Sequence, residues 1–147
     1  MSLAFRNVDA DPDGPVEGWP TEAVLTALER GGLSHWRRLA TAVRADPWGP
    51  VARRIEGALA AVRPYGVAEL MDDVLTSARA HADERERAEV AAEIAALVGE
   101  SGLTRAEFAR SIGTSASRLS TYVGGSVTPS AAMLVRMRRV ARGEPCR

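Results

Sequence analysis

The chain has 147 residues and carries 19 arginines against 19 acidic residues, so its formal net charge is zero. This length is sufficient for one or two small domains with an adequate core. No stretch is apolar and long enough to span a membrane, no signal-peptide pattern opens the chain, and the single cysteine excludes an internal disulfide. These features predict a protein of the reducing cytoplasm, with Cys146 as a solvated tail residue.

The first half of the sequence predicts an acidic tail followed by a short helical bundle. Residues 1–18 are rich in acidic and helix-breaking residues, so we expect them to be disordered or to form an extended strap. Residues 19–82 predict four short helices, the first capped by Thr21, the second capped by Ser34 and the third opened by Pro50. No segment alternates with a period of two, so no strand is predicted.

This half offers no group of residues suited to catalysis. His35 and His81 lack cysteine or carboxylate partners at ligand spacing, and adjacent acids on a helix point in different directions. No phosphate-binding glycine loop and no nucleophile elbow are found. The sequence therefore predicts no enzyme activity, no catalytic residue, no metal site and no cofactor. Three tryptophans are predicted to pack in the core and turns or, alternatively, to anchor a partner: Trp19, Trp36 and Trp48.

The most informative segment lies near the carboxyl terminus and has the pattern of two short helices that cross at a tight turn. Thr104 and Glu107 have the spacing of a capping box, which predicts where the first helix begins. Gly113 stands where the turn requires a positive φ. The residues predicted to lock the helices together are Phe108, Ala109, Ile112, Gly113, Leu119 and Tyr122. This pattern is typical of a helix-turn-helix, whose second helix lies in the DNA major groove.

Further helices are predicted on both sides of the motif. Upstream, apolar residues recur on one helical face from Val90 to Val98, and that helix is expected to end at Gly99 to Gly102. Thr114 or Ser115 can cap the second motif helix. Downstream, a glycine-bearing loop ends in Thr128 and Pro129, which predict the cap and first residue of a fourth helix.

With these elements in place, residues 88–142 resemble the phage-repressor-like helix-turn-helix domain found in the xenobiotic-response-element class of bacterial regulators. The order of helix, turn, recognition helix, glycine-bearing loop and fourth helix is that of the stretch GLTRAEFARSIGTSASRLSTYVGGSVTPSAAMLVRMRRVA. The family usually has five helices, so the fifth is expected to be missing or replaced. We therefore expect an all-α protein with an acidic tail (1–18), a short amino-terminal helical bundle (19–82) and a repressor-like domain of four to five helices (83–147).

The resemblance also implies which side chains would contact DNA. The beginning of helix 115–123 would face the base edges, and Arg118 is long and charged enough to reach a guanine or a phosphate. Arg105 stands where relatives often carry a phosphate-binding glutamine. The candidate base contacts are Ala116, Ser117, Arg118 and Thr121. The candidate phosphate contacts are Arg105, Thr114, Ser115, Ser126, Thr128 and Ser130.

The neutral balance of the whole chain conceals a basic segment. Residues 102–147 contain eight arginines and two acids, a net charge of +6, whereas residues 83–101 contain six acids and two arginines, a net charge of −4. Positive charge is thus concentrated on the segment that carries the motif, as binding to phosphates requires.

Two functions follow from these observations. The first is a cytoplasmic, nucleoid-associated transcriptional regulator, a repressor, that binds double-stranded DNA as a homodimer and uses its amino-terminal helices to dimerise or to sense a signal. The second is an antitoxin-like protein, in which residues 19–82 bind a protein partner while the helix-turn-helix represses the protein's own operon.

Overall fold

A computed structural model describes residues 2–145, and within that range it contains seven α-helices and no strand. The helices are α1 Thr21–Arg30, α2 Leu33–Ala45, α3 Pro50–Ala61, α4 Val67–Ser101, α5 Arg105–Ile112, α6 Ala116–Val123 and α7 Ala131–Ala141. The predicted all-α class is confirmed. No helix in this part of the chain is long and apolar enough to cross a membrane. Cys146, predicted to be a solvated tail residue, lies outside the described residues.

The chain divides into two compact units, an amino-terminal unit (Met1–Ala82) and a carboxyl-terminal unit (Asp83–Arg147). α4 continues without a break through this boundary, so its first half belongs to one unit and its second half to the other. The sequence predicted two separate helices here, and that prediction was wrong. Because residues 79–89 contain no glycine or proline and many good helix formers, nothing ends the helix where its apolar periodicity fades.

The amino-terminal unit is a bundle of α1, α2, α3 and the first half of α4 around a shared apolar core. Pro50 is the first residue of α3, as predicted. Ser34 does not cap α2, because the helix begins one residue earlier, at Leu33. Instead, Nδ1 of His35 accepts a hydrogen bond of 3.2 Å from the amide of Gly32. Thr21 is likewise the first residue of α1 rather than its cap.

Residues 2–18 of the acidic segment lie along this core as an extended strap, one of the two arrangements that the sequence left open. Phe5 packs edge-on against Trp19, with ring centres 5.1 Å apart, and Val16 is buried in a single turn of 3₁₀ helix. Arg38 donates hydrogen bonds to the carbonyl oxygens of Pro12 and Gly14. These contacts order a segment that has no helical period of its own.

The tryptophans of this unit have different surroundings. Trp19 is 1 % exposed and Trp36 is half-buried, and each donates its indole N–H to a backbone oxygen at 2.9 Å. The predicted packing role is therefore confirmed for both. Trp48 is 56 % exposed, and the guanidinium carbon of Arg79 lies 4.4 Å from the centre of its ring.

Candidate nucleic-acid interface

The second half of α4 and helices α5, α6 and α7 enclose the core of the carboxyl-terminal unit. Its buried side chains are Ile94, Leu97, Phe108, Ala109, Ile112, Leu119, Tyr122 and Met137. The five non-glycine residues of the sequence-derived motif are all among them. Their burial fixes the crossing of α5 and α6, and therefore which face of α6 is left for solvent.

Local hydrogen bonds determine where α5 begins and ends. The amide of Thr104 donates to Oε2 of Glu107 at 2.8 Å, and the amide of Glu107 donates to the Thr104 hydroxyl oxygen at 3.2 Å. This reciprocal pair confirms the predicted capping box. At the other end Gly113 has φ +81°, as predicted, and the next amide, of Thr114, donates to the carbonyl oxygen of Ala109 at 2.9 Å. A Cβ on Gly113 would meet nothing closer than 3.9 Å, so there is room for a side chain. Glycine is favoured here because of the positive φ of the backbone.

The capping box also lowers the pKa of the Glu107 carboxyl below its ordinary value. The largest cause is the hydrogen bond from the Thr104 amide, followed by the Thr104 hydroxyl and the charge of Arg110. Glu107 is thus ionised at neutral pH, at the positive end of the α5 dipole.

Replacing Glu107 by glutamine is expected to make the protein less stable at neutral pH and to remove part of its acid sensitivity. Because the native pKa is depressed, the stabilising charge is present above the unfolded pKa and is lost as the pH falls through the native pKa. The thermal midpoint of the wild type should therefore exceed that of Glu107→Gln at neutral pH, and the difference should shrink as the pH falls through the depressed pKa of Glu107. Glu100→Gln, at an exposed acid of α4, is the matched control. A difference that stays constant with pH would contradict this role.

Helix α6 has one buried face and one exposed face. Ser115 caps it, accepting a hydrogen bond of 3.1 Å from the amide of Arg118, while Leu119 and Tyr122 are buried. The side chains left at the surface are Ala116, Ser117, Arg118 and Ser120, with Thr121 half-buried beside them. All four predicted base-contact residues lie in this set. Ser120 was not among the predicted contacts, although it follows Ser117 by three residues and so lies on the same face of the helix.

Only some of the hydroxyl groups can still donate to a phosphate. A phosphate oxygen is an acceptor, so a serine whose proton is already given to a carbonyl oxygen has none to offer. Ser126 donates to the Thr121 carbonyl oxygen at 3.2 Å, and Thr121 donates to that of Arg118 at 2.6 Å. Ser115 and Ser130 instead accept hydrogen bonds from helix amides and keep their protons. Among the predicted phosphate contacts, these two serines are the better placed.

The loop before α7 differs from the sequence prediction. Ser130, not Thr128, caps the helix, and α7 begins at Ala131. The Ser130 hydroxyl oxygen accepts a hydrogen bond of 3.1 Å from the amide of Met133, so the cap lies two residues later than predicted. Thr128 lines a shallow groove with Asp83, Glu86, Arg87 and Val90. Because the two carboxylates of this groove outnumber its one guanidinium, it is a poor place for a phosphate.

Four arginines of the unit show two kinds of surroundings. Arg138 forms a two-pronged ion pair with Glu93, at 2.7 and 3.2 Å, and Arg136 donates to the carbonyl oxygen of Ile112 at 3.4 Å, so both act within the fold. Arg105, the first residue of α5, and Arg110 are exposed, and neither forms an ion pair with another described residue. Arginine side chains of this second kind are available to an external anion.

A comparison with protein families agrees with this geometry. A family model described as a helix-turn-helix domain matches residues 89–145. Residues 89–145 are thus similar to a helix-turn-helix domain, and α5 and α6 occupy the place of its motif. The match concerns helix-turn-helix domains in general and does not single out the phage-repressor-like type. No curated protein and no solved structure matches the chain.

Proposed function

We propose that this protein is a sequence-specific transcriptional regulator, a repressor of the phage-repressor-like type, that places α6 in the DNA major groove. The observation that carries the proposal is the outward face of α6, which is exposed, free of carboxylates and held in place by the helix-turn-helix core. The surrounding segment 102–147 has a net charge of +6. A surface of this kind attracts phosphates and can approach base edges closely.

The chemistry of α6 favours close contact and modest base readout. Ala116 and the methyl group of Thr121 can pack on thymine methyl groups, and Ser117 can hydrogen bond to almost any base. Phosphates would be held by Arg105, Ser115 and Ser130, at the beginnings of α5, α6 and α7. Helix beginnings suit this role because their backbone N–H groups and dipoles favour anions. Shape and backbone contacts would then supply much of the affinity.

Fluorescence anisotropy of the protein on its own upstream duplex and on a scrambled duplex, across a salt series, tests the proposal. A specific regulator should prefer its own DNA by about 10³-fold or more. Equal affinity for the two duplexes would overturn sequence specificity, and the absence of binding at low salt would overturn the DNA-binding function itself.

Replacing Arg105 by alanine is expected to weaken binding to every duplex to a similar extent. Because a phosphate contact releases a bound counterion, the slope of log affinity against log salt should also become shallower by about one unit. Arg30→Ala, at an exposed arginine of α1, removes the same charge from the amino-terminal unit and is the matched control. An Arg105→Ala slope equal to that of the control would rule out the contact.

We also propose that the regulator acts as a homodimer. One helix with small side chains reads few bases, whereas two recognition helices one DNA turn apart would double the contacts. Sedimentation of the protein with and without its duplex tests this. A monomer that binds DNA with one-to-one stoichiometry would contradict it.

An antitoxin-like role is the alternative, in which the amino-terminal unit binds a protein partner. It is supported by the division of the chain into two compact units and by the exposed apolar side chains of the amino-terminal one, Leu33 and Trp48, at 54 and 56 %. Co-expression with the product of the adjacent reading frame tests it. Formation of a complex that relieves growth inhibition would support the role, and a frame that neither binds nor inhibits growth would exclude it.

A further inference from the structure

The Arg118 side chain does not extend freely into solvent but lies against the next turn of its own helix. Its Nε donates to the phenolic oxygen of Tyr122, four residues further on, at 3.3 Å. The guanidinium carbon lies 5.7 Å from the centre of the tyrosine ring, within the range of a cation–π contact. Arg118 is therefore held at two points by a single residue.

Tyr122 is suited to hold another side chain because it is itself fixed. The residue is only 7 % exposed and belongs to the core formed with Phe108 and Leu119. Its phenolic oxygen is consequently a stationary acceptor at the margin of the exposed face of α6. A free arginine has many rotamers, and the conformational entropy lost when they are ordered opposes binding. An arginine that the fold has already ordered loses less conformational entropy when it binds DNA.

We propose that Tyr122 is a positioning residue that presents Arg118 to one guanine of the operator. With Nε bonded to Tyr122, the edge of the guanidinium formed by its two terminal nitrogens remains as a pair of donors for another acceptor. Such a pair matches the O6 and N7 acceptors of guanine in the major groove, the commonest specific contact of arginine. This inference rests on the proposed DNA-binding function and adds to it a guanine at one fixed position of the site.

The proposal is tested with the full chain and a pool of randomised duplexes. Selection by the wild type should enrich sites with one constant guanine, whose substitution lowers affinity about tenfold. Tyr122→Phe removes the hydroxyl and keeps the ring. This variant should lose about fivefold or more of that preference, while its affinity for random duplexes and its salt slope stay unchanged.

Two further variants separate positioning from a structural role of the tyrosine. Tyr65→Phe removes the hydroxyl of the other tyrosine, which is fully exposed in the amino-terminal unit, and should leave guanine preference unchanged. Arg118→Lys keeps the charge but not the planar pair of donors, so it should lose the guanine preference by about tenfold. Adding Tyr122→Phe to Arg118→Lys should then have no further effect on the preference, because there is no longer a guanidinium to position.

The outcomes distinguish this inference from the function on which it rests. If the wild type binds no duplex, both fail. If it binds specifically but Tyr122→Phe keeps the full guanine preference, or loses affinity equally for all DNA together with thermal stability, only the positioning role is overturned. The Arg118→Lys variant is an independent test even if Tyr122→Phe does not fold, because retained guanine preference in that variant would also overturn the proposal.

Discussion

Replacing Phe108 by alanine is expected to lower the free energy of unfolding of the carboxyl-terminal unit by about 3–5 kcal/mol. The side chain is completely buried and belongs to the core that joins α5 to α6 and α7. Removing it takes away a large apolar group and leaves a cavity among neighbours that can collapse only in part. In a unit of about 65 residues, such a loss is comparable to the whole stability of a small domain.

The distribution of aromatic residues allows the loss to be assigned to one unit. All three tryptophans lie in the amino-terminal unit, so indole fluorescence follows that unit, whereas circular dichroism follows the helices of both. Phe108→Ala should therefore lower the midpoint of part of the dichroism transition more than that of the fluorescence transition. Phe5→Ala removes the other phenylalanine, which lies half-buried against Trp19 in the strap, and should shift the fluorescence transition instead. A loss below about 1 kcal/mol for Phe108→Ala would show that this side chain does not hold the motif together.

The helix-turn-helix could be predicted from the sequence because each of its signals acts over three or four residues. The bonds between Thr104 and Glu107 and the positive φ of Gly113 depend on neighbours in the chain and very little on the rest of the fold. The apolar spacing from Phe108 to Tyr122 then decides which faces are buried. The beginnings of α5 and α6, the turn between them and their buried faces could therefore all be predicted from interactions between residues close in sequence.

Features that depend on contacts between residues far apart in the chain could not be predicted from such local signals. The continuity of α4 was missed because its surface residues 83–89 are exposed and carry no apolar period, although the backbone continues as a helix. The strap was ambiguous because Phe5 and Val16 gain their burial only against a core formed elsewhere. The periodic spacing of apolar residues indicates which face of a helix or strand is buried. It gives no such indication where a segment is wholly exposed or has no regular secondary structure.

For the candidate site, the sequence predicted which side chains of α6 are exposed better than it predicted their hydrogen bonds. The exposed face of α6 follows from the helical period, and serine or threonine inside a helix is known to bond back to a carbonyl oxygen, as Ser120 and Thr121 do. The bond from Ser126 back to Thr121 depends instead on the path of the loop. The orientation of Arg118 depends on the tyrosine that the core holds beside it.

Replacing Ser117 by glutamate is expected to lower DNA affinity by about 100-fold or more, for specific and random duplexes alike. The position is exposed on α6, and in the proposed complex the new carboxylate would face the phosphates and acceptor-rich base edges of the major groove. Like charges brought together in an interface cost several kcal/mol, and every 1.4 kcal/mol is a factor of ten. The fold should not suffer, since an acid in the first turn of a helix is favourable towards the helix dipole.

Ser77→Glu provides the matched control for this experiment. Ser77 is an exposed serine of α4 in the amino-terminal unit, so the variant has the same change in net charge at a position outside the proposed interface. Anisotropy titrations at one salt concentration, with thermal unfolding of both variants, compare the two. If the affinities of Ser117→Glu and Ser77→Glu differ by less than about threefold, a gap of well under 1.4 kcal/mol, then α6 does not lie in the groove. A large gap between equally stable variants would instead mean that α6 itself approaches the DNA, because net charge and folding are the same in both.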